Sequence, residues 1–194
     1  DAMKAYGIMG GTFDPVHNGH LMMAEAARNQ LGLDEVLFIP DGDPPHKAEQ
    51  AGALDRLRMV ELAVADREGF RALDLEVLRA GQTFTVDTLE QLSEKYPCDR
   101  FFFIVGADTL MVIESWRNFP RVASLLSGVA CAPRSAVPTD DTSRQSARLM
   151  EKYGLAVTML DMGPVEISST SVRYAVARGL PVGEMAPERV LDYI

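Results

Sequence analysis

The stretch Gly10-Gly11-Thr12-Phe13-Asp14-Pro15-Val16-His17-Asn18-Gly19-His20 is the most informative part of this chain. A short apolar run over residues 4–9 predicts a buried strand before it, and apolar residues at helical spacing over 21–31 predict a helix after it that stops at Gly32. Glycine lets the backbone approach a ligand closely, and a helix amino terminus offers unpaired N–H groups and partial positive charge to an anion. We therefore predict a phosphate site in this turn.

Two histidines strengthen that prediction. His17 and His20 are three residues apart, so on a helix they share a face and both imidazoles can donate hydrogen bonds to one phosphate chain. The chain has only three histidines, and two of them fall in this turn. The same pattern also suits an ordinary glycine turn, a polar helix start or half of a metal site.

The rest of the chain alternates between strand and helix patterns. Strands are predicted at 35–40, 70–78, 101–105, 129–132 and 155–160, and helices at 54–65, 142–153, 169–177, 187–193 and from a cap at Thr85 to about residue 96. This order predicts a doubly wound parallel sheet, a Rossmann-like α/β fold of three α/β/α layers. At 194 residues and 47% hydrophobic content, we expect a single domain over 1–194.

Composition narrows the functional class. A net charge of −9 argues against general affinity for nucleic acid or for an anionic membrane surface. We see no apolar run of membrane-spanning length and no signal-peptide pattern, so we expect a cytoplasmic protein. Cys98 and Cys131 lack metal-type or redox spacing, which favours thiols over a disulfide.

Two further segments could meet an anion. Pro44-Pro45-His46-Lys47 lies in the loop after the second predicted strand, where Lys47 is either a solvated lysine or a cation for phosphate oxygens. Ile167-Ser168-Ser169-Thr170-Ser171-Val172-Arg173 is a hydroxyl-rich helix start that can serve as a cap, as an anion site in which Arg173 supplies forked donors, or as both.

These segments carry a family resemblance that extends from Ile8 to Arg173. The first resembles the signature of the nucleotidyltransferase superfamily with the His-x-Gly-His motif, and its Gly-Gly-Thr-Phe-Asp-Pro start resembles the nicotinate mononucleotide adenylyltransferases. The Pro-Pro-His-Lys and Ile-Ser-Ser-Thr-x-x-Arg segments resemble the same family, as does Gly106-Ala107-Asp108. The resemblance implies catalytic roles for His17, His20, Lys47 and Arg173, and ATP contacts from Gly10, Gly11, Thr12, Phe13, Gly106, Asp108, Ser168, Ser169 and Thr170, with Asp108 at the adenosine ribose.

The acceptor side is implied by weaker matches. Residues 79–89 resemble a segment of the nicotinate enzymes, although Thr83-Phe84-Thr85 stands where Ser-Tyr-Thr is common. The resemblance implies that Phe84 and Thr85 meet the nicotinate carboxylate through backbone N–H groups. Trp116 is then the stacking platform for the pyridine ring rather than a core residue, and Arg134 helps to hold the mononucleotide phosphate or carboxylate.

The function implied is transfer of AMP from ATP to nicotinate mononucleotide, giving deamido-NAD and pyrophosphate. ATP and nicotinate mononucleotide are the expected partners, with no nucleic acid and no membrane, and homo-oligomerisation stays open. Mg²⁺ is expected to arrive bound to ATP, without a fixed metal site in the protein. The alternatives are adenylyl or cytidylyl transfer to another phosphate acceptor, such as nicotinamide mononucleotide or phosphopantetheine, and a non-catalytic nucleotide-binding regulator.

Overall fold

The structure, a computed structural model, describes residues 3–42 and 51–194. Lys47 and its loop therefore lie outside the described residues. The elements, in chain order, are β1 (Ala5–Gly11), α1 (Asn18–Leu31), β2 (Glu35–Pro40), α2 (Ala53–Val64), β3 (Phe70–Ala72), α3 (Thr85–Lys95), β4 (Arg100–Gly106), α4 (Ala107–Val112), a 3-10 turn (Ile113–Ser115), α5 (Phe119–Leu125), β5 (Gly128–Ala132), α6 (Thr139–Tyr153), β6 (Val157–Met159), α7 (Ser169–Ala177) and α8 (Glu188–Tyr193).

The strands form one six-stranded sheet in the order β3-β2-β1-β4-β5-β6. The register of the parallel strands places Ala5 of β1 opposite Arg100 of β4, and Phe103 of β4 opposite Val129 of β5. All six strands are parallel and helices flank the sheet. The strands are short apolar runs because a parallel sheet covered on both faces buries nearly every side chain. The predicted three-layer, Rossmann-like fold is confirmed.

The chain divides into two compact units. The first contains the described residues up to Met9 together with 23–36 and 84–165, and the second contains 10–22, the described part of 37–83 and 166–194. Phe101, Leu89 and Leu110 belong to the core of the first unit, and Phe38, Val60 and Val172 to that of the second. The expectation of a single domain over 1–194 stays a prediction.

Packing in the first unit explains one glycine of β1. A Cβ added at Gly7 would lie 2.8 Å from both the Ile104 Cδ1 and Leu33 Cδ1 atoms. This is closer than side chains tolerate, so β1 approaches its neighbours only because residue 7 has no side chain.

Several predicted boundaries were wrong. The third strand covers only Phe70–Ala72 rather than 70–78, because residues 73–79 turn, with the Leu78 amide donating to the Asp74 carbonyl at 2.9 Å. The last strand is Val157–Met159 rather than 155–160. Thr85 is the first residue of α3, and Phe84 occupies its cap position.

Two helices were not predicted. The helix α4 has six residues and α5 has seven, too few for an apolar period to show, and α5 begins with Phe119-Pro120. Proline is tolerated in the first turn of a helix, where its missing N–H costs no intrahelical bond. Among the described residues, none of the helices is both long and apolar enough to cross a membrane.

Candidate active site

The two histidines of the opening motif lie together in the second unit. The helix α1 begins at Asn18, so His17 precedes the helix instead of sharing a helical face with His20, as the spacing had suggested. Their rings are nevertheless stacked, with centroids 3.7 Å apart and planes 26° from parallel. His17 is 4% exposed, whereas His20 is half-buried. Contact between the rings therefore arises from the turn that enters the helix.

A hydrogen bond defines which nitrogen of His20 carries the proton. The His17 backbone N–H donates to His20 Nδ1 at 3.1 Å, and the His17 carbonyl accepts from the His20 amide at the same distance. A nitrogen that accepts a hydrogen bond has no proton of its own, so in the neutral imidazole Nε2 is the donor. His20 thus closes the first turn of α1 as a capping side chain, with the proton of the neutral ring on Nε2.

The turn between β1 and α1 is held from inside by Phe13. This residue is 2% exposed, has a φ of 54°, and its ring meets the edge of His20 at 4.9 Å between centroids. A non-glycine residue adopts a positive φ only where its surroundings impose it. The predicted ATP contact at Phe13 is therefore restricted to its backbone, while its side chain supports His20.

The hydroxyl-rich helix start has structural partners in the same unit. Ser168 caps α7 by accepting from the Ser171 amide at 3.0 Å, and Ser169 donates to the Pro15 carbonyl at 2.8 Å. The helix-cap interpretation therefore holds for Ser168. The first turn of α7 still leaves backbone N–H groups with no intrahelical acceptor, so an anion-binding role for this helix start is compatible with the Ser168 cap.

Arg173 is attached to the segment that leads into His17. Its Nη1 donates to the Asp14 carbonyl at 2.6 Å, and Nη2 donates to Thr170 Oγ1 at 3.2 Å. The Asp14 carboxylate lies 4.0 Å from Nη1, and the Arg173 side chain remains 49% exposed. A guanidinium has five donors, so those not used by Asp14 and Thr170 can reach an anion.

In the first unit, Asp108 and Arg134 are packed against Gly106. Arg134 Nε lies 3.4 Å from Asp108 Oδ1, and Arg134 Nη1 donates to the Val165 carbonyl at 3.0 Å. A Cβ at Gly106 would come within 2.7 Å of Arg134 Nε and 2.8 Å of Asp108 Oδ1. The structure thus places Arg134, predicted as a mononucleotide contact, beside the predicted ribose ligand Asp108.

The predicted nicotinate residues lie elsewhere in the first unit. Phe84 and Thr85 form the start of α3, where backbone N–H groups have no intrahelical acceptor. Trp116 follows the 3-10 turn and is half-buried, with its ring edge-on to Phe103 at 5.2 Å between centroids. Arg117 was not predicted, and its guanidinium carbon lies 4.4 Å from the centre of the Phe84 ring.

Two titratable groups of the first unit, Glu114 and Cys131, have pKa values far from their usual range. Hydrogen bonds from Arg148, with Tyr153 and Gln145, lower the pKa of the Glu114 carboxyl to about 2 despite the opposing effect of burial. Burial raises the pKa of the Cys131 thiol to about 12, so this cysteine is no nucleophile at neutral pH. Within residues 3–42 and 51–194, no group of three or more His, Cys, Asp or Glu side chains could hold a metal ion.

Sequence reasoning missed one buried cation, Arg56 of α2. Its signal was present in the helix pattern, because Ala53, Arg56, Met59 and Val60 recur at helical spacing and all four are buried. An arginine on an apolar face indicates acceptors inside the fold.

A parallel sheet of this order, with histidine, arginine and helix starts after its strands, is typical of nucleotide-binding α/β proteins. Residues 8–175 match the Cytidylyltransferase-like family. The chain is also 40% identical over 193 residues to a probable nicotinate-nucleotide adenylyltransferase of Synechococcus sp. (strain JA-3-3Ab), covering 98% of this chain and 92% of the relative. It belongs to the cytidylyltransferase-like family and, within it, to the nicotinate-nucleotide adenylyltransferases.

Two further comparisons support the family and the fold. A probable nicotinate-nucleotide adenylyltransferase of Clostridium novyi (strain NT) is 38% identical over 189 residues, covering 96% of this chain and 94% of the relative. The nicotinic acid mononucleotide adenylyltransferase of Plasmodium falciparum complexed with NaAD has a similar structure, with a TM-score of 0.79, 18% identity and coverage of 98% and 94% of the two chains. At that identity the structural match supports the fold alone.

Proposed function

We propose that this chain transfers AMP from ATP to nicotinate mononucleotide, forming deamido-NAD and releasing pyrophosphate. Membership of the nicotinate-nucleotide adenylyltransferases supports the reaction. The single structural observation that supports the chemistry most is the stacked His17 and His20 pair, in which Nδ1 of His20 accepts a hydrogen bond and Nε2 carries the proton of the neutral ring.

The reaction needs no side chain to create its nucleophile. A phosphate monoester loses its second proton with a pKa of about 6, so the mononucleotide phosphate is largely a dianion at neutral pH. One of its oxygens attacks the α-phosphorus of ATP, and the bond from that phosphorus to the bridging oxygen of pyrophosphate breaks. The negative charge that develops on the departing pyrophosphate is what the protein must stabilise.

Residues of the second unit supply donors for that charge. In our proposal, His17, His20 and Arg173 bind the phosphate chain, and His20 and Arg173 favour the charge on the leaving group. Gly10, Gly11 and Thr12 let the backbone approach, and Ser168, Ser169 and Thr170 place a helix start near the phosphates. Lys47 is proposed as a further cation, although it lies outside the described residues.

The remaining roles belong to the first unit. Asp108 is proposed to bind the adenosine ribose, and Phe84, Thr85 and Trp116 the nicotinate ring. Arg134, which lies beside Asp108, is proposed to help hold the mononucleotide phosphate or carboxylate. Mg²⁺ is proposed to enter with ATP, because this ion keeps several waters and commonly binds through substrate phosphates. Cytoplasmic location and oligomeric state stay predictions.

The deciding experiment measures pyrophosphate release from the purified chain. ATP and CTP are each paired with nicotinate mononucleotide, nicotinamide mononucleotide and phosphopantetheine, and products are identified by mass. We expect the highest kcat/KM with ATP and nicotinate mononucleotide. Faster turnover of another pair would reassign the substrate, and binding of ATP without turnover of any pair would identify a regulator.

A further inference from the structure

Arg56 is a fully buried arginine whose guanidinium is surrounded by acceptors. It is 0% exposed, although α2 exposes both Leu54 and Asp55. Nη1 donates to the Thr12 carbonyl and to Asp41 Oδ1, each at 2.8 Å, Nε donates to the Ala51 carbonyl at 2.9 Å, and Nη2 to the Gly42 carbonyl at 3.0 Å. A side chain so enclosed has no route to a substrate.

These acceptors come from the ends of several segments of the second unit. Thr12 follows β1, Asp41 and Gly42 follow β2, and Ala51 precedes α2. The ends of the two strands are also joined directly, because the Asp41 amide donates to the Gly11 carbonyl at 2.9 Å and Thr12 Oγ1 donates to Asp41 Oδ2 at 3.3 Å. One planar guanidinium therefore fixes where the turn after β1 lies.

The same hydrogen bonds continue to Arg173. The Ala51 carbonyl accepts from Arg56, while the Ala51 amide donates to Asp14 Oδ2 at 3.4 Å. The Asp14 carbonyl in turn accepts from Arg173 Nη1 at 2.6 Å. Arg56 thus holds the glycine turn through Thr12 on one side and the Asp14 segment, to which Arg173 is attached, through Ala51 on the other.

We propose that Arg56 is a positioning residue for ATP: by fixing Thr12 and Asp14 it sets the geometry of the glycine turn and of Arg173. The inference rests on the proposed function, which assigns these groups to the phosphate chain. A role in packing alone would need only a side chain of similar volume. Three backbone carbonyls and a carboxylate around one cation instead require the forked geometry of arginine, which lysine does not reproduce.

The test compares Arg56→Lys and Arg56→Met with Arg58→Lys and Arg58→Met. Arg58 is an exposed arginine of the same helix, so it controls for loss of charge on α2. For each variant we would measure thermal unfolding, kcat, and KM for both substrates well below the unfolding midpoint. We expect Arg56→Lys to raise KM for ATP or lower kcat by about tenfold or more, while KM for nicotinate mononucleotide stays within about twofold.

Arg58 variants should match the unsubstituted chain in all these measurements. Unchanged kcat and KM for ATP in folded Arg56→Lys would overturn the proposal, as would an equal rise in KM for both substrates. If neither Arg56 variant folds, Asp41→Asn applies the same criteria, because it removes the carboxylate partner and leaves the arginine in place.

A separate measurement keeps this proposal distinct from the proposed function. If the unsubstituted chain shows no turnover with any substrate pair, the proposed function fails. Binding of a non-hydrolysable ATP analogue is then compared between the unsubstituted chain and Arg56→Lys by calorimetry. Weaker binding by about tenfold supports positioning by Arg56, and equal affinity overturns it.

Discussion

The His20 ring stacks on the His17 ring and accepts a hydrogen bond from the His17 backbone N–H on Nδ1. The two nitrogens of His20 therefore differ: Nδ1 accepts the hydrogen bond that closes the start of α1, and Nε2 carries the proton of the neutral ring. Substitutions that keep one nitrogen and remove the other can separate stability from catalysis.

We predict that His20→Asn keeps the fold and loses activity. The asparagine carbonyl can replace Nδ1 as acceptor, so the unfolding midpoint should stay within about 2 °C of the unsubstituted chain. Loss of the Nε2 donor should lower kcat by about 100-fold, the usual effect of removing a donor from developing charge.

Two further variants control this prediction. His20→Ala removes both nitrogens and should also cost about 1 kcal/mol of stability through the lost cap. His20→Gln can place an amide N–H near the former Nε2 position and should recover part of kcat. Normal turnover in His20→Asn would remove His20 from the proposed catalytic residues.

Gly106→Ala is predicted to weaken ATP binding with a small effect on the fold. Its φ of −82° is open to alanine, but the new Cβ would meet Arg134 Nε and Asp108 Oδ1 at less than 3 Å. Both side chains can move away, which separates the pair and shifts the proposed ribose ligand. We expect KM for ATP to rise by about tenfold, measured by pyrophosphate release.

Gly163→Ala is the matched control in the same unit, because a Cβ there meets nothing within 4 Å. It should leave both KM values unchanged. An unchanged KM for ATP in Gly106→Ala would argue against a ribose role for Asp108.

The strands that were predicted well are those whose whole length is apolar. Residues 101–105 are a continuous apolar run and lie within β4, whereas residues 73–78 also hold apolar side chains yet turn away from the sheet. The difference arises from tertiary hydrogen bonds such as Leu73 N–H to the Phe38 carbonyl at 2.9 Å, after which the chain leaves the sheet. Short-range periodicity carries no information about such partners.

The residues of the candidate site also differ in whether local sequence could reveal them. His17, His20 and Arg173 were recognised because their motifs are local in sequence. Arg56 and Arg117 were not, since their partners Thr12 and Phe84 lie 44 and 33 residues away and only the fold brings them together. The helical spacing of Arg56 among buried residues was the one local signal that could have indicated it.

Glu114 is predicted to stabilise the first unit in a pH-dependent way. Its pKa is lowered from 4.5 to about 2, chiefly by the hydrogen bonds from Arg148, so the folded state favours the carboxylate more than the unfolded state does. The stabilisation is therefore complete above about pH 4.5 and is lost as the pH falls towards 2.

Glu114→Gln tests this by urea unfolding at pH 7 and pH 3, followed by the fluorescence of Trp116. We expect a loss of about 1–3 kcal/mol at pH 7 and a smaller loss at pH 3. The control is Glu90→Gln, which removes an exposed ion pair with Arg121 and should change stability little at either pH. An equal loss for Glu114→Gln at both pH values would contradict the prediction.

Arg117 is predicted to favour the acid over the amide form of the acceptor. Its guanidinium lies over the Phe84 ring, beside the start of α3 where the proposal places the nicotinate carboxylate. A positive charge there attracts a carboxylate and has little electrostatic effect on a neutral carboxamide.

At about 6 Å through a partly aqueous medium, the attraction between the guanidinium and the carboxylate amounts to about 1 kcal/mol, or severalfold in affinity. Arg117→Gln should therefore raise KM for nicotinate mononucleotide by about three- to tenfold and leave that for nicotinamide mononucleotide nearly unchanged. Arg121→Gln is the control: Arg121 is an exposed arginine of α5 that pairs with Glu90 of α3, and its substitution should change neither KM. Parallel changes for both mononucleotides in Arg117→Gln would show that the guanidinium supports the Phe84 ring without sensing the charge of the acceptor.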